Sequence, residues 1–66
     1  MLNDTQRQRA LDYLKTQDKS VSLTELTVNI GVNYYSVSAE DLEYFNLNCV
    51  KIIRTGKKTT KLQYET

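Results

Sequence analysis

Apolar positions along this chain fall first at helical and then at strand spacing, and capping residues or turns punctuate the changes. Ala10, Leu11 and Leu14 recur at helical spacing, with Arg9, Asp12 and Lys15 on other faces. Thr5-Gln6-Arg7-Gln8 fits a capping box just before them, so the pattern predicts a first helix from about Thr5 to Gln17. Asp18-Lys19-Ser20 is polar and loop-like, and Val21 is a candidate for a brief strand contact. Ser22-Leu23-Thr24-Glu25 is a second capping box, and Leu23, Leu26, Thr27 and Ile30 follow at i, i+3, i+4 and i+7. These residues predict a short helix from about Leu23 to Ile30 with one buried face. Gly31 stands where a helix end needs a residue able to take positive φ.

The next segment admits two readings. Asn33 can cap a helix that begins at Tyr34 and runs through Phe45, which would bring Tyr35 and Ala39 onto the buried stripe. Ser38-Ala39-Glu40-Asp41 is itself a helix start, with a capping Ser and acids in the first turn, which leaves Val32 to Val37 extended or as a single turn. Leu42 and Phe45 face the core on either reading.

Asn46-Leu47-Asn48 breaks the helix, and the remaining residues predict a hairpin. A three-residue loop of Gly56, Lys57 and Lys58 pairs Thr55 with Thr59, Ile52 with Leu62 and Val50 with Tyr64. That register puts Val50, Ile52, Leu62 and Tyr64 on one face, which is the buried one. Lys51, Ile53, Lys61 and Gln63 take the other face. Arg54 shares the buried face but lies near the tip, where it reaches solvent. A two-residue loop would set Ile52 opposite Lys61 and bury a charge, so the longer loop is preferred.

Charge is unevenly distributed. Between Glu43 and Glu65 the only charged residues are Lys51, Arg54, Lys57, Lys58 and Lys61, while the rest of the chain carries four basic and eight acidic residues. The net charge of +1 thus combines a strongly basic hairpin with an acidic body, a segregation that suggests a polyanionic partner.

The inventory also narrows the chemistry. At 66 residues the chain is expected to form a single domain, residues 1–66, near the lower limit for folding without a staple. It has one Cys and no His, which leaves no intramolecular disulfide and none of the common zinc frameworks. Cys49 reads as a small buried hydrophobe. Without His, and with Gly31 and Gly56 as the only glycines, neither a His general base nor a Gly-rich phosphate loop is available, so the expectation is a protein that is not an enzyme and has no cofactor or metal. The cluster Glu40, Asp41 and Glu43 reads as a solvated first helical turn. No apolar run approaches the ~20 residues of a membrane span, and no signal-peptide core is present, which points to a soluble, cytoplasmic chain.

The order of helix, two further helices around a turn, and basic hairpin resembles the winged helix-turn-helix family of DNA-binding domains. The resemblance rests on residues 22–33, on Ser36-Val37-Ser38, on Asp41-Leu42-Glu43-Tyr44-Phe45, and on residues 50–54 and 60–64 as a wing. Gly31 matches the small residue of the family's turn, and Val37 matches a β-branched residue that packs the third helix on the second. The match favours the helix start at Tyr34. Three features depart from the pattern. Thr27 stands where the family usually has Ala, Leu42 and Phe45 come one residue late, and the third helix is acidic.

The resemblance implies an α+β, mainly helical fold and sequence-specific binding of double-stranded DNA by a small regulator, of the kind found in phages and mobile elements. Asn33, Tyr34, Tyr35, Ser36 and Ser38 would then face DNA from the third helix, and Arg54, Lys57, Lys58 and Lys61 from the wing. Each has a structural alternative: Tyr34 or Tyr35 as core aromatics, Ser36 and Ser38 as helix caps, and the lysines as guards of a sheet edge. Arg7 and Arg9 are expected to face solvent. Leu2, Tyr13 and Leu47 are candidate apolar contacts for a homodimer. A second functional class is a protein-interaction module, an inhibitor or adaptor that presents Glu40, Asp41 and Glu43.

Overall fold

The computed structural model describes residues 1–54 and 59–65, which form three α-helices, one 3-10 turn and a three-stranded antiparallel sheet. Helix α1 spans Asp4–Lys15, strand β1 Val21–Ser22, helix α2 Leu23–Ile30, and helix α3 Ala39–Leu47. Strands β2, Val50–Arg54, and β3, Thr60–Tyr64, follow, and the sheet order is β1-β3-β2.

Helix α1 starts earlier than Thr5. Its cap is Asn3, whose side chain accepts from Gln6 N–H at 2.8 Å while Asn3 N–H donates to Gln6 Oε1 at 3.0 Å. Asn3-x-x-Gln6 and Thr5-x-x-Gln8 offer the same local chemistry. The earlier pair wins because it carries Leu2 into the core, where it is only 4% exposed. The helix ends at Lys15, short of Gln17, with Thr16 as its C-terminal cap.

Helix α2 takes the expected form. Ser22 Oγ accepts from Glu25 N–H at 3.1 Å, and Leu23, Leu26, Thr27 and Ile30 are all buried. Gly31 sits at φ 72°, and Val32 N–H reaches back to the Thr27 carbonyl at 3.0 Å, which closes the helix with a left-handed residue. Thr27 is buried, and its hydroxyl donates to the Thr24 carbonyl of its own helix at 2.9 Å.

The continuous third helix does not form. Asn33 caps only the 3-10 turn Tyr34–Ser36, its side chain accepting from Tyr35 N–H at 2.9 Å. Val37 and Ser38 are extended, and Ser38 then caps α3. Both candidate caps therefore operate, and a helix running through position 38 would forfeit the second. Tyr35 and Ala39 accordingly stay exposed, while Phe45 is fully buried and Leu42 half-buried. Burying a side chain the size of Phe45 contributes about 2–3 kcal/mol.

The hairpin register agrees with the sequence reading, with Val50 opposite Tyr64, Ile52 opposite Leu62 and Ile53 opposite Lys61. The three-residue loop of Gly56, Lys57 and Lys58 lies outside the described residues. Val50 and Leu62 are buried, and Ile52 and Tyr64 pack half-buried against the same core. Val21 makes its strand contact with Leu62, which places β3 in the middle of the sheet.

Cys49 is not a buried hydrophobe. It is exposed at φ 69°, in the reversal between α3 and β2, and its carbonyl accepts from Glu65 N–H at 2.8 Å.

Candidate nucleic-acid interface

The predicted contact residues divide among three environments. Tyr34, Tyr35, Ser38 and Arg54 line one open groove with Leu42 and Thr60, where the 3-10 turn and the start of α3 approach the hairpin. Asn33 and Ser36 belong to the same turn, the Asn33 carbonyl accepting from Ser36 N–H at 2.9 Å. Lys61 is exposed on the opposite face of the hairpin, paired across the ladder with Ile53. Lys57 and Lys58 lie outside the described residues.

Within the groove the two tyrosines differ. Tyr34 packs half-buried against the core, whereas Tyr35 is 89% exposed. Their rings meet edge to face, with centroids 5.5 Å apart, so Tyr34 buttresses a Tyr35 ring that solvent reaches. Arg54 is exposed on β2, free of any carboxylate partner among the described residues. Ser38 is engaged as a cap. Its hydroxyl accepts from Asp41 N–H at 3.3 Å and donates to Asp41 Oδ2 at 3.1 Å. Asn33 is likewise engaged as a cap, so the structural roles of Asn33 and Ser38 are realised directly.

The residue that the acidic pattern concealed is Asp41. It is fully buried, and its Oδ2 accepts from Leu2 N–H at 3.0 Å and Ser38 N–H at 2.9 Å. Arg7 brings Nε and Nη2 to the other oxygen, each at 2.9 Å, and lies over the Tyr44 ring at 4.8 Å. Burial pushes the Asp41 carboxyl up. The hydrogen bonds from Ser38 and Leu2 amides, the Arg7 side chain and the Ser38 hydroxyl outweigh it and hold the pKa below its ordinary 3.8. Asp41 is thus a structural anchor that ties the N-terminal segment and α1 to the start of α3.

This anchor corrects several expectations. Arg7 is not solvent-facing but ion-paired, whereas Arg9 is exposed. Glu40 and Glu43 are exposed on α3, but Asp41 is unavailable to a partner, so the acidic surface is smaller than its sequence suggests. Of the three candidate dimer contacts, Leu2 is buried and Tyr13 packs half-buried against the core, leaving Leu47 exposed at 77%. Arg7 was legible in principle, since it precedes Ala10, Leu11 and Leu14 by three, four and seven residues and so shares their face of α1.

Among the described residues no group of three or more His, Cys, Asp or Glu side chains could hold a metal ion, and no helix is long and apolar enough to cross a membrane. No family model matches the chain, and neither a curated protein nor a solved structure matches it.

Proposed function

We propose that this chain is a small winged helix-turn-helix protein that binds double-stranded DNA in a sequence-specific manner, as a transcriptional regulator. The observation that carries the reading is the groove gathering Tyr34, Tyr35, Ser38 and Arg54 beside a hairpin whose strands bear only positive charges, Lys51, Arg54 and Lys61. A solvent-facing aromatic next to an unpaired guanidinium offers apolar contact to a base or sugar and a charge-assisted bond to phosphate. The connection from α2 to α3 spans residues 31–38 and holds the 3-10 turn, so the reading head in this proposal is that turn with the first residues of α3. Asn33 then acts by positioning the turn of Tyr34 and Tyr35, and Ser38 by fixing the start of α3, because their side chains already satisfy the amides of Tyr35 and Asp41. The wing supplies electrostatic affinity through Arg54, Lys57, Lys58 and Lys61.

Fluorescence anisotropy with labelled random-sequence duplex tests the proposal. Four phosphate contacts give a slope of about −3.6 in log K against log salt, so raising salt from about 50 to 200 mM weakens binding roughly 150-fold. Changing Lys57→Glu together with Lys58→Glu is expected to abolish binding while circular dichroism stays unchanged. Absence of binding at low salt, indifference to salt, or normal binding by the double variant overturns the reading.

A further inference from the structure

The open edge of β2 faces a second cleft, which shares Ala39, Leu42 and Arg54 with the groove of Tyr34 and Tyr35 but adds Glu43, Asn46, Lys51 and Ile52. In the sheet order β1-β3-β2, strand β2 pairs with β3 alone, so one of its edges has no strand partner among the described residues. The bond from Glu65 N–H to the Cys49 carbonyl marks Cys49 and Glu65 as a hydrogen-bonded pair. Antiparallel alternation then directs the N–H and C=O groups of Lys51 and Ile53 toward β3, and those of Val50, Ile52 and Arg54 toward the open edge. Along this edge Ala39, Leu42, Glu43 and Asn46, a single face of α3 by their i, i+3, i+4 and i+7 spacing, form the opposite wall of the cleft. Lys51, Ile52 and Arg54 form the strand wall. Leu42 and Ile52, both half-buried against the core, give the cleft an apolar strip among the polar Glu43, Asn46, Lys51 and Arg54.

An edge strand facing a helix across a cleft can receive an extended peptide as an additional strand. We propose that this cleft binds an extended acidic segment of a partner protein, paired with the β2 edge through Ile52. The edge presents donors and acceptors in alternation. A peptide backbone matches both, whereas nucleic-acid phosphates offer acceptors only. Apolar side chains of the segment contact Leu42 and Ile52 on the face that Arg54 shares, and its carboxylates, on the other face, meet Lys51, which has no carboxylate partner among the described residues. A second copy of this chain is the poorer occupant, because its own β2 edge would bring another Lys51 and Arg54 to the joint. The wall from Lys51 to Arg54 spans about 10 Å at ~3.3 Å per residue, which suits a segment of about five residues.

The test is an NMR titration of the full chain, isotopically labelled, with an acetylated and amidated peptide of seven residues in which valine alternates with aspartate. The expected result is amide shifts centred on Ile52 and Arg54, with hydrogen exchange at those two amides slowed at least tenfold. An analogue of the same charge, N-methylated at alternate residues so that it cannot pair, is expected to lose at least tenfold in affinity. Changing Lys51→Glu, on an exposed side chain, is expected to weaken the unmodified peptide severalfold without altering the thermal melt. Equal binding of both peptides, shifts centred on Tyr35 or Lys61 instead, slowed exchange at Ile52 from self-association without peptide, or no shifts at millimolar peptide overturns the proposal. DNA binding measured on the same sample reports separately on the function proposed above.

Discussion

The buried pair of Arg7 and Asp41 is expected to couple far more strongly than a surface salt bridge, and a double-mutant cycle measures it. In Asp41→Asn the amide oxygen can take the place of Oδ2 and keep the bonds from Leu2 and Ser38 N–H, so those donors stay satisfied. The amide NH2 then faces Arg7 Nε and Nη2, where two charge-assisted bonds at 2.9 Å become a donor-against-donor contact. A hydrogen bond to a charged group contributes about 1.5–3 kcal/mol, and the Arg7 side chain, 17% exposed, recovers part of that by hydration. The expected cost is about 2–3 kcal/mol, against a total stability of about 3–10 kcal/mol for a chain of this size. Arg7→Met keeps much of the apolar stem on Tyr44 and removes the charge. In urea titrations, the coupling between the two substitutions is expected to be about 2 kcal/mol. A coupling below about 0.5 kcal/mol, the range of exposed pairs, would refute the burial argument. The pH dependence carries the same sign. Because the folded pKa of Asp41 lies below its ordinary 3.8, its contribution is present above that value and is lost as pH falls through the folded pKa. The wild type should therefore lose stability below about pH 4 more steeply than Asp41→Asn, in which this group no longer titrates.

Two backbone positions give further tests. Gly31→Ala places a Cβ at φ 72° with nothing within 4 Å, so its cost of about 1–2 kcal/mol is conformational, and the melting temperature is expected to fall by about 5–15 °C. An unchanged melt would contradict the left-handed helix end. Cys49→Gly removes a Cβ from a residue at φ 69°, which relieves about 1–2 kcal/mol and costs about 0.5–1 kcal/mol in chain entropy. Urea denaturation should show a gain of up to about 1.5 kcal/mol, and a clear net loss would rule out the strained turn.

What could be read from the sequence was what neighbouring residues decide among themselves. Strand alternation and the avoidance of a buried Lys61 set the hairpin register, and Ser22, Glu25 and Gly31 bounded α2 from both ends. Where two local signals were equally good, the deciding contact came from far along the chain. The cap expected at Thr5 gave way to one at Asn3, and of Asn33 and Ser38, both read as caps for the third helix, Ser38 starts α3. The choices at Asn3 and Ser38 are joined by Asp41, which bonds Leu2, Arg7 and Ser38 together. Its partners on the N-terminal segment and α1 stand 39 and 34 residues away, and its neighbours Glu40 and Glu43 give it the look of a surface acid. Tyr34, Tyr35, Ser38 and Arg54 could each be named from the sequence, but their gathering in one groove depended on the 3-10 turn that displaced the first half of the expected helix.

The sheet order has a consequence for how the chain acquires its structure. Strand β3 lies between β1 and β2 yet follows both in the chain, so neither partner has anything to pair with until residues 60–64 have been made. Val21 must wait for Leu62, and the core beneath the helices stays open on one side in the meantime. During synthesis the helices can form locally, but the step that closes the sheet is long-range and comes last. Cleavage or truncation that removes β3 would therefore take away the one strand on which both others depend, and the loss should be all-or-none rather than confined to the end of the chain.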